Sequence, residues 1–175
     1  MKIHYEILEE DYVAFNLHHA RHSETIKRSL KIQRLIGPLL FIVMPFLFAR
    51  DDQLLFMIML GMMTLLGFTW FFLFPIFMNK SIERTTRRMI KEGKNSNILG
   101  KREMTLTSEG IFDEGETNST KSQWSTIEKF MDTDDYFFIY NSSVSAYIVP
   151  KRTFTKEEDR AEFVKFIEQS INKGA

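Results

Sequence analysis

Three groups of residues in this chain have types and spacings that invite chemistry. His18, His19 and His22 come first, because imidazoles four positions apart, at 18 and 22, share one helix face and can chelate zinc. Only Asp11 and Glu24 lie near enough in sequence to extend that ligand set, so it stays short of a closed site. A solvated helix face is the simpler reading, and no metal or cofactor is expected. Lys151 and Arg152 follow a strand pattern and Pro150, in a turn where they would either grip a lipid phosphate or merely fix the chain. Glu109, Asp113, Glu114 and Asp134 would have to supply acid and base groups in an enzyme. All four fall where turns and solvent are expected, and no nucleophile stands with them, so the chain reads as non-enzymatic.

The elements that must position these residues are dominated by two apolar runs. The 175 residues are 44% hydrophobic with a mean hydropathy of -0.18, an ordinary average that hides the local pattern. Leu54 to Met78 is 25 residues long without a charge. As a helix it would measure roughly 37 Å, enough to cross a hydrocarbon core with some tilt. Leu35 to Ala49 is shorter, at 15 uncharged residues, but a helix begun near Leu30 lets Lys31 and Arg34 extend their charges to the headgroup level. Pro38 and Pro45 are tolerated in such a span where a neighbouring helix satisfies the freed backbone groups. Only Arg50 to Gln53 separates the runs. The expectation is an antiparallel hairpin with transmembrane spans at about 30–49 and 54–78.

Flanking charge sets its orientation. Lys27, Arg28, Lys31 and Arg34 precede the first span, and Lys80, Arg84, Arg87, Arg88, Lys91 and Lys94 follow the second, against Arg50 at the tip. Both termini are therefore expected in the cytoplasm of a cell carrying this chain in its membrane. These cations are topogenic, and Arg84, Arg87 and Arg88 join Lys151 and Arg152 as candidate contacts to anionic lipid or a partner. The chain has no cysteine and no cleavable signal pattern, and the sequons at Asn118 and Asn141 are coincidental in a cytosolic domain. Gly61, Thr64 and Gly67 place small groups along one side of the second span, for the first span to occupy or, failing that, a homodimer partner.

Outside the hairpin the texture is polar. Residues 1–8 alternate, Ile3, Tyr5 and Ile7 against Lys2, His4 and Glu6, as a half-buried strand does. A lone strand needs a sheet, and the strand-rich region is at the other end of the chain, so pairing with the C-terminal domain is expected. Residues 9–94 read as a long helical hairpin, opened by the acidic turn Glu9, Glu10, Asp11, running unbroken into the first span, and closed near Gly93. Residues 95–175 carry strand patterns at 103–107, from Ile111 and Phe112 up to Gly115, and at 121–129, 136–140 and 144–149. A final helix follows, with a capping box at Thr155-x-x-Glu158 and an apolar face of Phe163, Val164, Ile167 and Ile171. Trp124, Tyr136, Phe137, Phe138 and Tyr140 are expected in the core. The plan is α+β.

Glu10-Asp11-Tyr12 with Phe15-Asn16, the two-span hairpin, Trp124-Ser125-Thr126-Ile127, and Ile148-Val149-Pro150-Lys151-Arg152-x-Phe154 together resemble the YcxB-like proteins of Gram-positive bacteria. The resemblance covers nearly the whole chain and implies a cytosolic domain similar to pleckstrin-homology-like folds, a bent antiparallel sheet closed by the terminal helix. It implies no active site. Leu8 departs from the pattern, where a Ser or Thr cap is expected.

From Asn95 onward the chain has 10 Lys and Arg against 14 Asp and Glu, a balance that disfavours nucleic acid and an anionic leaflet. The reading that follows is a membrane-anchored interaction or regulatory module whose partners are the lipid bilayer and another protein. An anionic-lipid-responsive domain is the alternative, with an enzyme or a metal-binding protein more distant.

Overall fold

In the computed structural model, which describes residues 1–93 and 96–174, the alternating N-terminal residues form strand β1, Lys2–Ile7. Lys94, Asn95 and Ala175 lie outside the described residues, so the last cation of the basic flank and the first residue of the expected C-terminal domain do too. The chain divides into two compact units, one of Met1–Phe15 with Thr86–Ala175, the other of Asn16–Thr85.

In the first unit β1 pairs antiparallel with β2, Gly100–Leu106, with Ile3 opposite Met104 and Tyr5 opposite Arg102. Strands β3, Gly110–Gly115, and β4, Ser119–Gln123, extend this sheet in the order β1-β2-β3-β4. A second antiparallel sheet holds β5, Lys129–Asp132, β6, Tyr136–Ser142, and β7, Ser145–Pro150. The strand-like run 121–129 is thus divided, because a 3-10 turn at Trp124–Thr126 carries the chain from one sheet to the next. Trp124 is buried there, and its indole Nε1 donates to the carbonyl of Thr107 at 2.9 Å.

The expected pairing of the N-terminal strand with the C-terminal part of the chain is present, and Ile3, Tyr5 and Ile7 enter one core with Met104, Ile139 and Val149. Each such apolar side chain withdrawn from water contributes roughly 1.5–3 kcal/mol. Helix α4 covers Glu157–Gly174, beginning two residues after Thr155, with Glu157, Glu158 and Asp159 placing negative charge in the first turn. Phe163 and Ile167 are wholly buried, and the Phe163 ring lies 5.4 Å from that of Phe137. Among the described residues, four α-helices and seven strands make this an α+β fold.

The helical pattern from residue 9 is not continuous. Helix α1 covers Glu9–His22, and Ser23, with φ -74° and ψ 119°, is an extended N-cap that starts α2 at Glu24 and carries it to Phe48. The Ser23 side chain makes no capping bond, so the local support for this start is the extended backbone of Ser23 and the negative charge of Glu24 in the first turn. Helix α3 runs from Gln53 to Lys91 and ends at Gly93, whose φ of 75° few other residues adopt. The Asp52 carboxylate caps its start by accepting the Leu55 N–H at 3.0 Å.

Both α2 and α3 are long and apolar enough to cross a membrane. A Cβ on Gly67 would lie 3.2 Å from Pro38 Cα, so this part of the small-residue stripe is taken by α2, whereas Gly61 is open. Pro75 within α3 has no N–H for the carbonyl of Phe71 four residues earlier. Arg34 of α2 donates its Nε–H to that carbonyl at 2.9 Å and lays its guanidinium over the Phe71 ring at 3.8 Å. Arg34, one of the two charges expected near the headgroups, thus makes a contact across the hairpin.

Candidate functional site

The first turn of α1 and the turn after β7 meet at a buried carboxylate. Asp11 is 1% exposed and receives four donors. Arg152 closes on it with Nη1 to Oδ1 at 2.7 Å and Nη2 to Oδ2 at 2.5 Å. The Leu8 N–H donates to Oδ2 at 2.7 Å and the Tyr136 hydroxyl to Oδ1 at 3.0 Å. Leu8 thus stands as the N-cap and Asp11 as the third helical residue, reaching back to the cap N–H as in half of a capping box. That geometry explains how the helix starts without a Ser or Thr. Burial by itself would raise the Asp11 pKa, but the bonds from Arg152, Leu8 and Tyr136 outweigh it and hold the carboxyl below its ordinary value. The Tyr136 phenol is pushed up, first by burial and then by Asp11.

Lys151, next to it, is nearly buried; its ammonium sits 2.5 Å from Asp132 Oδ1 and 4.9 Å from the centre of the Phe137 ring. Lys151 and Arg152, two of the five cations that the sequence offered as lipid or partner contacts, are therefore engaged with carboxylates of their own unit. Arg87 pairs with Glu9 at 2.8 Å, and Arg84 and Arg88 are exposed on α3.

A second buried pair spans three strands. Asp113 on β3 accepts from Arg102 Nε at 2.7 Å and from the Tyr5 hydroxyl, also at 2.7 Å. Arg102 Nη1 donates to Asn97 O at 3.2 Å and to Asn118 Oδ1 at 3.1 Å. Asp113 was expected in a solvated turn, but it lies on a strand and is buried; Glu114 is on the same strand with its side chain exposed, and Glu109 and Asp134 are exposed. Burial pushes the Tyr5 phenol well above its usual value, and Asp113 adds to that. A cavity of about 170 Å³ lies beside the pair, lined by Tyr5, Arg102, Asp113, Asn118, Thr120 and Asn141 among others. The Asn141 Oδ1 is buried without a hydrogen-bond partner, and Ser122 and Tyr147 hydroxyls meet 2.7 Å apart nearby. Both sequon asparagines thus line this cavity.

The histidines are arranged differently from a ligand set. His18 and His22 rings stack at 4.0 Å, and His22 Nδ1 is 2.9 Å from His18 O. Burial lowers the pKa of His19. Asp11 is closed on Arg152 and Glu24 is bonded to Lys27 at 3.0 Å. Among the described residues, no group of three or more His, Asp or Glu is placed to hold a metal ion.

The Asp11–Arg152 and Asp113–Arg102 pairs are what reasoning along the sequence missed, since the partners of the first stand 141 positions apart. Local signals existed only for Asp11, as the third residue of a helix with an apolar cap. Chemically, each carboxylate is satisfied by a guanidinium and a phenol, which suits them to hold strands and helix together. No curated protein and no solved structure matches the chain. The family model described as YcxB-like protein does match it over residues 106–167, from the end of β2 into α4, so this stretch is similar to that family, and the motifs around Trp124 and Pro150 lie within it.

Proposed function

We propose that the protein is a membrane-anchored, non-enzymatic interaction module. In this reading α2 and α3 cross the bilayer, both termini are cytoplasmic, and the strand-rich unit works at the inner membrane face as a pleckstrin-homology-like domain that engages another protein. The observation that carries it is the placement of β1. Residues on either side of the apolar hairpin, Met1–Phe15 and Thr86–Ala175, make one compact unit, with β1 hydrogen-bonded to β2 and Asp11 clasped by Arg152. The hairpin is thus an insertion within a folded domain, and whatever binds that domain is held near lipid at high local concentration.

Exposure along the two helices supports the bilayer. Leu47 is 67% and Leu54 72% exposed, within a continuous apolar surface far larger than water tolerates on a soluble protein. Support for a non-catalytic role comes from the buried ionisable groups, which are matched to one another. Among the described residues, seven strands in two sheets with a terminal helix suit the pleckstrin-homology-like reading.

The test has two parts. The full chain should remain in the membrane pellet after alkaline carbonate washing. A photo-crosslinker at Val144, 70% exposed beside the β6–β7 turn, should then capture a discrete protein in membranes, lost when Asp11→Ala loosens the unit. Release by carbonate, or a folded unit that captures nothing beyond background from any exposed position, would refute the proposal.

A further inference from the structure

At the basic end of the hairpin unit, a groove of about 340 Å³ opens between the residues around the α1–α2 break and α3. Its lining is of two kinds. Arg21, Lys27, Lys31 and Arg34 supply four cations, and among the described residues no carboxylate lines it. Leu30, Phe74, Pro75, Met78 and Ile82 supply an apolar wall. The sequence explains this division. Positions 27, 30, 31 and 34 recur on one face of α2, so a single stripe carries both the charges and Leu30. Residues 74, 78 and 82 form the matching stripe of α3.

Arg34 closes the inner end and is held there by the Phe71 carbonyl that Pro75 leaves unbonded. Lys27 is shared with Glu24, an exposed pair whose hold is weak in water. Lys31 and Arg21 are exposed on the open side. A ligand for this groove needs an anionic head and a long apolar portion. A free phosphate would leave the wall of Phe74, Met78 and Ile82 uncovered, and a neutral lipid would leave the cations unmatched. Basic pockets between helices at the cytoplasmic level suit anionic headgroups for these reasons.

We infer that this groove binds an anionic phospholipid, its phosphate held by Arg21, Lys27 and Lys31 at the level of Ile82 and Met78 and an acyl chain running from there past Phe74 into the bilayer. The inference rests on the membrane-anchored reading and adds a specific lipid site to it. It places lipid recognition in the hairpin unit, away from Lys151 and Arg152.

Native mass spectrometry of the full chain in neutral detergent, with an equimolar mixture of phosphatidylglycerol and phosphatidylcholine, provides the test. One tightly retained phosphatidylglycerol is expected. The preference should fall about fivefold for each charge removed in Lys27→Gln, Lys31→Gln and Arg21→Gln, singly and paired. Arg28→Gln and Lys80→Gln, exposed cations outside the groove, should keep it. Glycerol phosphate in excess should not displace the lipid, whereas short-chain phosphatidylglycerol should. Equal retention of both lipids, equal losses in groove and control variants, or displacement by glycerol phosphate would each overturn the inference. Because single and paired variants are compared, one that fails to fold does not decide the matter. Carbonate release from membranes would instead overturn the anchored reading itself.

Discussion

Arg152 grips both oxygens of the Asp11 carboxylate, at 2.7 and 2.5 Å, so the turn after the last strand is fastened to the first turn of the helix after β1. Its Nη2 also lies 3.2 Å from the carbonyl of Glu6, at the end of that strand. The clasp and the β1–β2 ladder therefore act on the same segment and together tie Met1–Phe15 to the rest of its unit.

Removing the carboxylate should be costly. Asp11→Ala leaves the Leu8 N–H and the Tyr136 hydroxyl without their acceptor and removes the partner of Arg152, which is half exposed and can be hydrated, so a loss of about 2 kcal/mol is expected. In thermal unfolding of the detergent-solubilised protein this corresponds to a decrease of about 10 °C or more in the Tm of the strand-rich unit. Arg152→Lys should lose part of that amount, because an ammonium cannot reproduce the two-pronged contact.

Acid should weaken the same clasp. The folded-state pKa of Asp11 is held below its unfolded value, so its stabilisation is complete above about pH 4 and is lost as pH falls through the lower, folded value. Denaturant midpoints measured from pH 7 downward should fall more steeply below about pH 4 in the wild type than in Asp11→Asn, which has no carboxyl to protonate there. Parallel curves would show that Asp11 is not the titrating group.

Much of the fold was readable along the chain because its signals are local. The alternation of Ile3, Tyr5 and Ile7, the uncharged stretch before Met78 and the helix stop at Gly93 each depend on neighbouring residues, and each appears as expected. The break at Ser23 was overshadowed by a helical pattern on both sides, although Ser followed by Glu is itself a start signal. Trp124 sits in a turn that resembles a strand in composition. Asp113 was misplaced because Gly110 and Gly115 suggest turns, whereas its burial depends on Arg102 and Tyr5 arriving from other strands. Pairings that long cannot be seen in spacing.

Within the hairpin, Arg34 and Pro75 should be coupled. Arg34→Leu leaves the Phe71 carbonyl without its donor and should cost about 1–2 kcal/mol in reversible detergent unfolding. In a Pro75→Ala background the helix supplies its own N–H to that carbonyl, so the same substitution should cost less. An unchanged penalty in the double variant would mean that Arg34 acts through the Phe71 ring alone.

The two glycines of α3 should differ. Gly67→Leu would push against the Pro38 backbone and should destabilise the hairpin by about 1–3 kcal/mol. Gly61→Leu, with nothing within 4 Å, should be neutral in the monomer. If Gly61→Leu is the harmful one and also breaks a crosslinked dimer, a second copy occupies that face.

The chain has no cysteine, so single substitutions can report which side of the membrane each part occupies. Asp51→Cys lies in the link between α2 and α3, and Val144→Cys is exposed on the strand-rich unit. With a membrane-impermeant maleimide, intact cells should label the first variant, and the second should label only after permeabilisation. Labelling of Val144→Cys in intact cells, or protection of Asp51→Cys until lysis, would contradict a hairpin that crosses the membrane with its folded unit inside.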